Sequence, residues 1–193
     1  MGIIYFVRHG ETDWNREGRI QGQSDQPLNE TGRSQARALA EVLEPVSFDV
    51  AYSSDLERAY ETASILLTGR DIVINTSAAL RERDFGSWEG RLVPELAAER
   101  QLLGQAWPET GAPPGGESIA DLDRRVVQVV SAIAADHNED TVLVVSHGGV
   151  IRSALMLWVG IDPPFIANCA AYVVEVDRTK PRLIGQLGVN LEP

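Results

Sequence analysis

Cysteine is nearly missing from this 193-residue chain. Cys169 stands alone, so no internal disulfide can form and metal sites built on paired thiolates are excluded. No apolar stretch approaches the roughly 20 residues that span a bilayer. The run Ile3 to Val7 is too short for a signal-peptide core and ends at Arg8. Gly2 lacks the Ser or Thr that myristoylation wants, because Phe6 stands there. The sequons at Asn29 and Asn75 carry little weight without secretion. Positive charge is scarce too: 17 Lys and Arg face 28 Asp and Glu, a net charge of −11. That disfavours nucleic acid and anionic membranes as partners, so any bound anion must be held locally. A reducing, cytoplasmic setting is the expectation.

What is present is ordinary globular material, 44% hydrophobic and 23% charged. Short β-branched and aromatic runs, at Ile3 to Val7, Asp49 to Ser53, Ile72 to Asn75, Thr141 to Ser146 and Ala171 to Val176, alternate with segments of helical spacing. This predicts an α/β fold, a three-layer α/β/α sandwich with a mostly parallel central sheet. Ala36, Leu39, Ala40 and Leu43 make one helical stripe, starting behind Asn29. Leu56, Ala59, Tyr60, Ala63 and Leu67 make a second, and Ile119, Leu122, Val126, Val129 and Ile133 a third. Thr141 to Val145 is apolar without alternation, which predicts a central strand covered on both faces. The chain reads as one domain over residues 1–193, with a lid-like folded insertion at about residues 86–116 rich in Gly, Pro and Trp.

In open α/β sheets ligands bind beyond the carboxyl ends of the strands. Three strand ends empty into polar residues: Arg8-His9-Gly10-Glu11-Thr12, Ser54-Asp55-Leu56-Glu57-Arg58 and Ser146-His147-Gly148-Gly149. A fourth leads to Leu80-Arg81-Glu82. Two arginines offer forked donors for a phosphate, an imidazole can attack phosphorus, and a carboxylic acid can protonate a leaving alkoxide. The combination points to phosphoryl transfer. Glycines after each histidine are expected to let backbone amides approach the anion, with a helix starting near Gly148 aimed at it.

These residues, with Trp14-Asn15, Gln21-Gly22, Asp25, Pro27-Leu28, Gly32 and Gln35-Ala36 after the first motif, fall in a telling order. So do Glu61-Thr62-Ala63, Phe85-Gly86-Ser87-Trp88-Glu89-Gly90 and Gly115-Gly116-Glu117-Ser118. The chain resembles the histidine phosphatase superfamily, which includes phosphoglycerate mutases. The resemblance implies that His9 becomes phosphohistidine, that Arg8, Arg58 and His147 grip the phosphoryl oxygens, and that Glu82 donates the proton. It also implies that Asn15 and Gln21 contact the phosphoryl group or its ester. Gly148 and Trp107 complete the expected substrate-binding set. His9 must then be neutral, His147 charged or donating, their environments different, and Glu82 protonated at the start. The scheme requires no metal and no cofactor.

Blander readings stand beside these. His137 is expected to be a solvated turn residue, Arg125 and Glu117 to brace the insertion, and Trp158 to pack in the core, while Trp14 and Trp88 could form pocket wall. Rival chemistries fail on spacing: there is no G-x-S-x-G elbow, no arginine six residues after Cys169, no P-loop and no HExxH pair. Asp121-Leu122-Asp123, which mimics an aspartyl-phosphate motif, lies inside a helical stripe. A mutase needs extra cations near the insertion, yet Gly86 to Ser118 holds only Arg91 and Arg100 against Glu89, Glu95, Glu99, Glu109 and Glu117. The Phe85-Gly86 stretch also resembles the phosphatase branch, including broad-specificity enzymes and alpha-ribazole phosphatase. A phosphomonoesterase acting on a small phosphate ester is expected. The alternatives are a phosphoglycerate mutase and a non-catalytic phosphate sensor on the same fold. Self-association as a homodimer stays open.

Overall fold

The computed structural model describes residues 1–102, 112–163, 165–177 and 180–188. Strand β1 (Gly2–Arg8) is followed by helices α1 (Asp13–Glu17) and α2 (Glu30–Val42), then β2 (Val50–Ser54), α3 (Glu57–Leu66) and β3 (Ile74–Ser77). After two 3-10 turns come α4 (Val93–Leu102), α5 (Ile119–Asp136), β4 (Thr141–Ser146), α6 (Gly148–Ser153), β5 (Ala171–Val176) and β6 (Arg182–Leu187). Among the described residues, six strands join one sheet in the order β3-β2-β4-β1-β5-β6. β3, β2, β4 and β1 pair in parallel, and β5 runs against both of its neighbours.

Strand alternation splits the core into two layers. Ile4, Phe6, Val142 and Val144 pack on one face against Leu122, Val126, Val130 and Ile133 of α5 and Ile151 of α6. Val7, Leu143, Val145 and Ala171 pack on the other against Ala36 and Leu39 of α2 and Ala59, Ala63 and Leu66 of α3. The expected three-layer α/β/α sandwich is the observed one, and β4 is buried from Val142 to Ser146 as a central strand should be. Burying each Leu, Ile or Val contributes about 1.5–3 kcal/mol. Helix starts are capped as their residue types dictate: Asn29 Oδ1 accepts from Gly32 N at 2.8 Å, and Ser118 Oγ from Asp121 N at 3.1 Å.

Several expectations need correction. β3 starts at Ile74, where pairing with Ala51 begins, and Val73 is exposed. Tyr60 is 46% exposed, so the buried stripe of α3 runs through Ala59, Thr62, Ala63 and Leu66. In α5, Val130 and Ala134 are buried, whereas Ile119 and Val129 are half-covered. His137 is not a solvated residue: its Nδ1 meets Asp140 Oδ2 at 2.8 Å and its Nε2 meets the Tyr52 hydroxyl at 2.9 Å. Trp158 packs edge-on against Phe6, as expected. Within the described part of the insertion, Trp88 and Leu96 form a small apolar cluster with Ile20, so this segment packs on the loop after α1. Among the described residues, no helix is long and apolar enough to cross a membrane.

Candidate active site

Parallel register builds the centre of the site. Arg8 of β1 lies opposite Ser146 of β4, so the residues that follow, His9 and His147, leave the sheet together at its carboxyl edge. His9 N–H donates to the Ser146 carbonyl at 3.0 Å, and the two rings stand 5.2 Å apart between centroids at 61°. Both are buried, at 3% and 0% exposure. His9 Nδ1 lies 2.7 Å from the Gly10 carbonyl, which makes Nδ1 the protonated nitrogen and leaves the Nε2 lone pair as the nucleophilic one.

The two neighbouring strands bring a cation and a carboxylate. β2 opens into α3, whose second residue is Arg58; its Nη1 donates to Ser24 O at 2.9 Å and its Nη2 to Gly22 O at 2.7 Å. One turn on, Thr62 Oγ1 accepts from Gly10 N at 3.1 Å and donates to the Arg58 carbonyl at 2.6 Å, tying α3 to the His9 loop. Beyond β3, the Leu80 carbonyl accepts from Ser146 Oγ at 2.7 Å, which anchors the approach to Glu82. Glu82 Oε2 accepts from Gly149 N at 3.0 Å and Oε1 from Arg83 N at 2.8 Å. Arg8 Nη1 donates to the Ile166 carbonyl at 2.5 Å, and its guanidinium lies 5.8 Å from the centre of the exposed Phe165 ring.

Among the described residues, four buried polar atoms of this set have no hydrogen-bond partner: Arg8 Nε, Arg58 Nε, and both ring nitrogens of His147. An unsatisfied buried donor costs about 1–3 kcal/mol, so such a cluster marks a place prepared for something else. Burial pushes Arg8 below its ordinary value against the opposing pull of Glu82 and Cys169. It brings Arg58 down to about 10, where Glu82, Asp25 and Glu89 oppose the shift. Both arginines stay cationic at neutral pH. Burial first, then the charges of Arg58 and Arg8, hold His9 well below the usual imidazole range, and burial, Arg58, His9 and Arg8 do the same to His147. The expected contrast between the histidines therefore lies in hydrogen bonding, fixed for His9 and open for His147, and both are neutral at pH 7. A neutral His147 has one ring N–H to offer and one ring nitrogen that can accept.

The remaining expected residues divide. Asn15 Oδ1 accepts from Thr12 N and from Asn168 Nδ2, each at 3.2 Å, and Gln21 Oε1 accepts from the buried Thr12 hydroxyl at 2.9 Å. Both amides are held by their oxygens, which leaves their NH2 groups as donors. The glycine expectation is corrected. Gly10 spends its N–H on Thr62, and its lack of a side chain serves packing, since a Cβ there would sit 2.5 Å from the Gly32 carbonyl. Gly149 spends its N–H on Glu82, and a Cβ would meet Glu82 Oε1 at 2.3 Å. Gly148 opens α6, where an N–H has no intrahelical acceptor and can face an anion. Trp107 lies outside the described residues. Trp88 is core, and Trp14 lies against Gly90.

Sequence reasoning missed the segment before β5. Asn168 Nδ2 donates to the His9 carbonyl at 3.0 Å, and Cys169, at φ 53°, donates its N–H to the carbonyls of Arg8 at 3.1 Å and His9 at 3.3 Å. Burial raises the Cys169 thiol to about 12. Glu89 is a further strut: Oε1 accepts from Gln23 N at 2.8 Å and Oε2 from Ser24 N at 2.8 Å, fastening the loop whose carbonyls hold Arg58. Among the described residues, no group of three or more His, Cys, Asp or Glu side chains is placed to hold a metal ion.

Residues 4–186 match the histidine phosphatase superfamily, branch 1. The chain belongs to this superfamily. Relatives of this superfamily member include a 2,3-bisphosphoglycerate-dependent phosphoglycerate mutase of Cytophaga hutchinsonii, 35% identical over 95% of this chain and 87% of that protein. A glucosyl-3-phosphoglycerate phosphatase of Mycobacterium tuberculosis is 39% identical over 78% of this chain and 72% of that one. The solved alpha-ribazole phosphatase of Shigella flexneri superposes with a TM-score of 0.85 at 28% identity, covering 94% of each chain. The fold agrees with that of the solved superfamily structure over 94% of this chain.

Proposed function

We propose that this protein is a phosphomonoesterase that hydrolyses small phosphorylated metabolites through a phosphohistidine on His9. The observation that carries the reading is the cluster of buried, unpartnered donors on Arg8, Arg58 and His147 beside the His9 ring. A phosphoryl group supplies acceptors for all of them. Charge-assisted hydrogen bonds to it are worth about 1.5–3 kcal/mol each, enough to seat a dianion on an acidic protein.

In this mechanism His9 Nε2 attacks phosphorus while Nδ1–H stays on the Gly10 carbonyl. The P–O bond to the leaving group breaks, and the departing oxygen takes a proton from Glu82, a transfer worth about 10² to 10⁴ in rate. Water then attacks the phosphohistidine in line and gives a proton back to Glu82. The P–N bond breaks, releasing inorganic phosphate and the starting imidazole. Arg8, Arg58, His147 and the Gly148 amide stabilise the equatorial oxygens throughout, and Asn15 and Gln21 donate to the phosphoryl group or its ester oxygen.

The test is hydrolysis of p-nitrophenyl phosphate with and without EDTA, by the starting protein and by His9→Ala. Turnover indifferent to EDTA and reduced at least about 10³-fold in the variant is expected, given the magnitude of nucleophilic catalysis. Undiminished turnover in His9→Ala removes His9 from the mechanism. No turnover on a broad ester panel favours a phosphate sensor.

A further inference from the structure

Arg125 of α5 does not brace the insertion alone. Its Nη1 donates to the carbonyls of Ala79 at 2.9 Å and Arg81 at 2.8 Å, and Nη2 reaches toward that of Glu82 at 3.5 Å. The other edge of the same guanidinium binds Glu117 in a two-pronged pair, Nε to Oε1 at 3.0 Å and Nη2 to Oε2 at 2.7 Å. Glu117 in turn donates its own N–H to the Asp84 carbonyl at 2.8 Å. The segment 79–84 that carries Glu82 has no regular partner strand at this point, so its backbone carbonyls need donors from elsewhere. Arg125 supplies those of Ala79 and Arg81 from a rigid helix and shares that of Glu82 with Gln23 Nε2, which donates to it at 3.2 Å, while Glu117 fixes the guanidinium plane. The pair is sheltered, with side chains 21% and 15% exposed, where charge-assisted contacts are screened less than at the surface.

We infer that Arg125 is a positioning residue for Glu82: it clamps the Glu82 backbone so that the carboxyl group meets the leaving oxygen. This rests on the reading of Glu82 as proton donor. A lysine could not replace it, because one ammonium cannot present two carbonyl-binding N–H groups and a carboxylate-binding edge in one plane. Misplacing an acid by about 1 Å can cost about 10²-fold, and the cost falls on esters whose leaving group needs the proton.

That dependence gives the test. kcat/KM is measured for p-nitrophenyl phosphate, whose leaving group departs as an anion, and for a simple alkyl phosphate, whose leaving oxygen must be protonated. The readout is the alkyl-to-aryl ratio in the starting protein, Arg125→Gln, Arg125→Lys, Glu117→Gln and Glu82→Gln. The ratio should fall at least about tenfold in Glu82→Gln and in both Arg125 variants, and less in Glu117→Gln, in line with general-acid magnitudes. Equal loss on both esters, or an unchanged ratio in the Arg125 variants while Glu82→Gln collapses it, overturns the positioning role alone. An unchanged ratio in Glu82→Gln overturns the proton-donor reading and the clamp with it. Should Arg125→Gln fail to fold, Glu117→Gln carries the test, and an unchanged ratio there refutes the clamp.

Discussion

Arg58 spends both Nη groups on loop carbonyls and has no protein partner for its buried Nε. It is therefore held stiffly, with its Nε–H wholly in reserve. Arg58→Ala should lose about 10² or more in kcat/KM on any ester it turns over, as removal of a preorganised oxyanion donor does; retained kinetics would remove it from the site. The buried imidazoles predict a pH effect on stability. Both are held neutral well below the ordinary histidine value, whereas in the unfolded chain they titrate near about 6.5. Below that pH the unfolded state binds protons that the folded state refuses. Stability is then full above about pH 6.5 and lost as pH falls, by up to about 1.4 kcal/mol per pH unit for each ring. Thermal melts from pH 7.5 to 5.5 should show a falling Tm, with a shallower slope in His147→Gln; equal slopes would contradict it.

The hinge between β4 and α6 puts backbone and catalysis in direct conflict. Gly149→Ala would place a methyl 2.3 Å from Glu82 Oε1, so the carboxyl must move while α6 gains an alanine of better helix propensity. Alkyl phosphatase activity should drop about tenfold or more with Tm within a few degrees of the starting protein; an unaffected kcat/KM would show that the carboxyl has room to spare. How much of this was legible differs from element to element. β4 and β5 announce themselves because nearly every position is buried and apolar, and β1 and β2 because β-branched and aromatic residues alternate between buried and half-buried positions. β6 does not, since it lies at the sheet edge with alternate residues exposed and carries Arg182, Gly185 and Gln186. Helix α4 offers no broad apolar stripe, with Leu96 its buried anchor. Helix α1 is one capped turn set by Thr12 and Asn15. The site residues that bond through side-chain chemistry, His9, Arg58, His147 and Glu82, stand at strand ends where motif and spacing point. The Ile166 carbonyl that holds the Arg8 guanidinium, the Asn168 amide and the Arg125 clamp each pair a side chain with a backbone carbonyl across a long sequence separation, which no local pattern reveals.

Taken whole, the protein is acidic, and among the described residues four arginines outside the His9 cluster are already paired. Arg81 pairs with Asp55, Arg125 with Glu117, Arg152 with Asp162 and Arg91 with Glu99. Arg8 and Arg58 instead bond to carbonyls and keep unpartnered Nε donors, which on the proposed reading serve one phosphoryl group. A mutase must hold a second anionic group and keep water from its phosphoenzyme. Incubation with 3-phosphoglycerate and a bisphosphoglycerate primer should give inorganic phosphate and no 2-phosphoglycerate by phosphorus NMR; interconversion would restore the mutase reading. The pairing of Arg8 with Ser146 also reaches into the birth of the protein. Since one half of that pair is made near the start of translation and the other only after α5, a ribosome-bound chain halted before β4 owns, on the proposed reading, a nucleophile but no cradle. Competence for phosphate thus arrives late and all at once, and ligand capture by stalled chains of increasing length would time the moment at which the sheet closes.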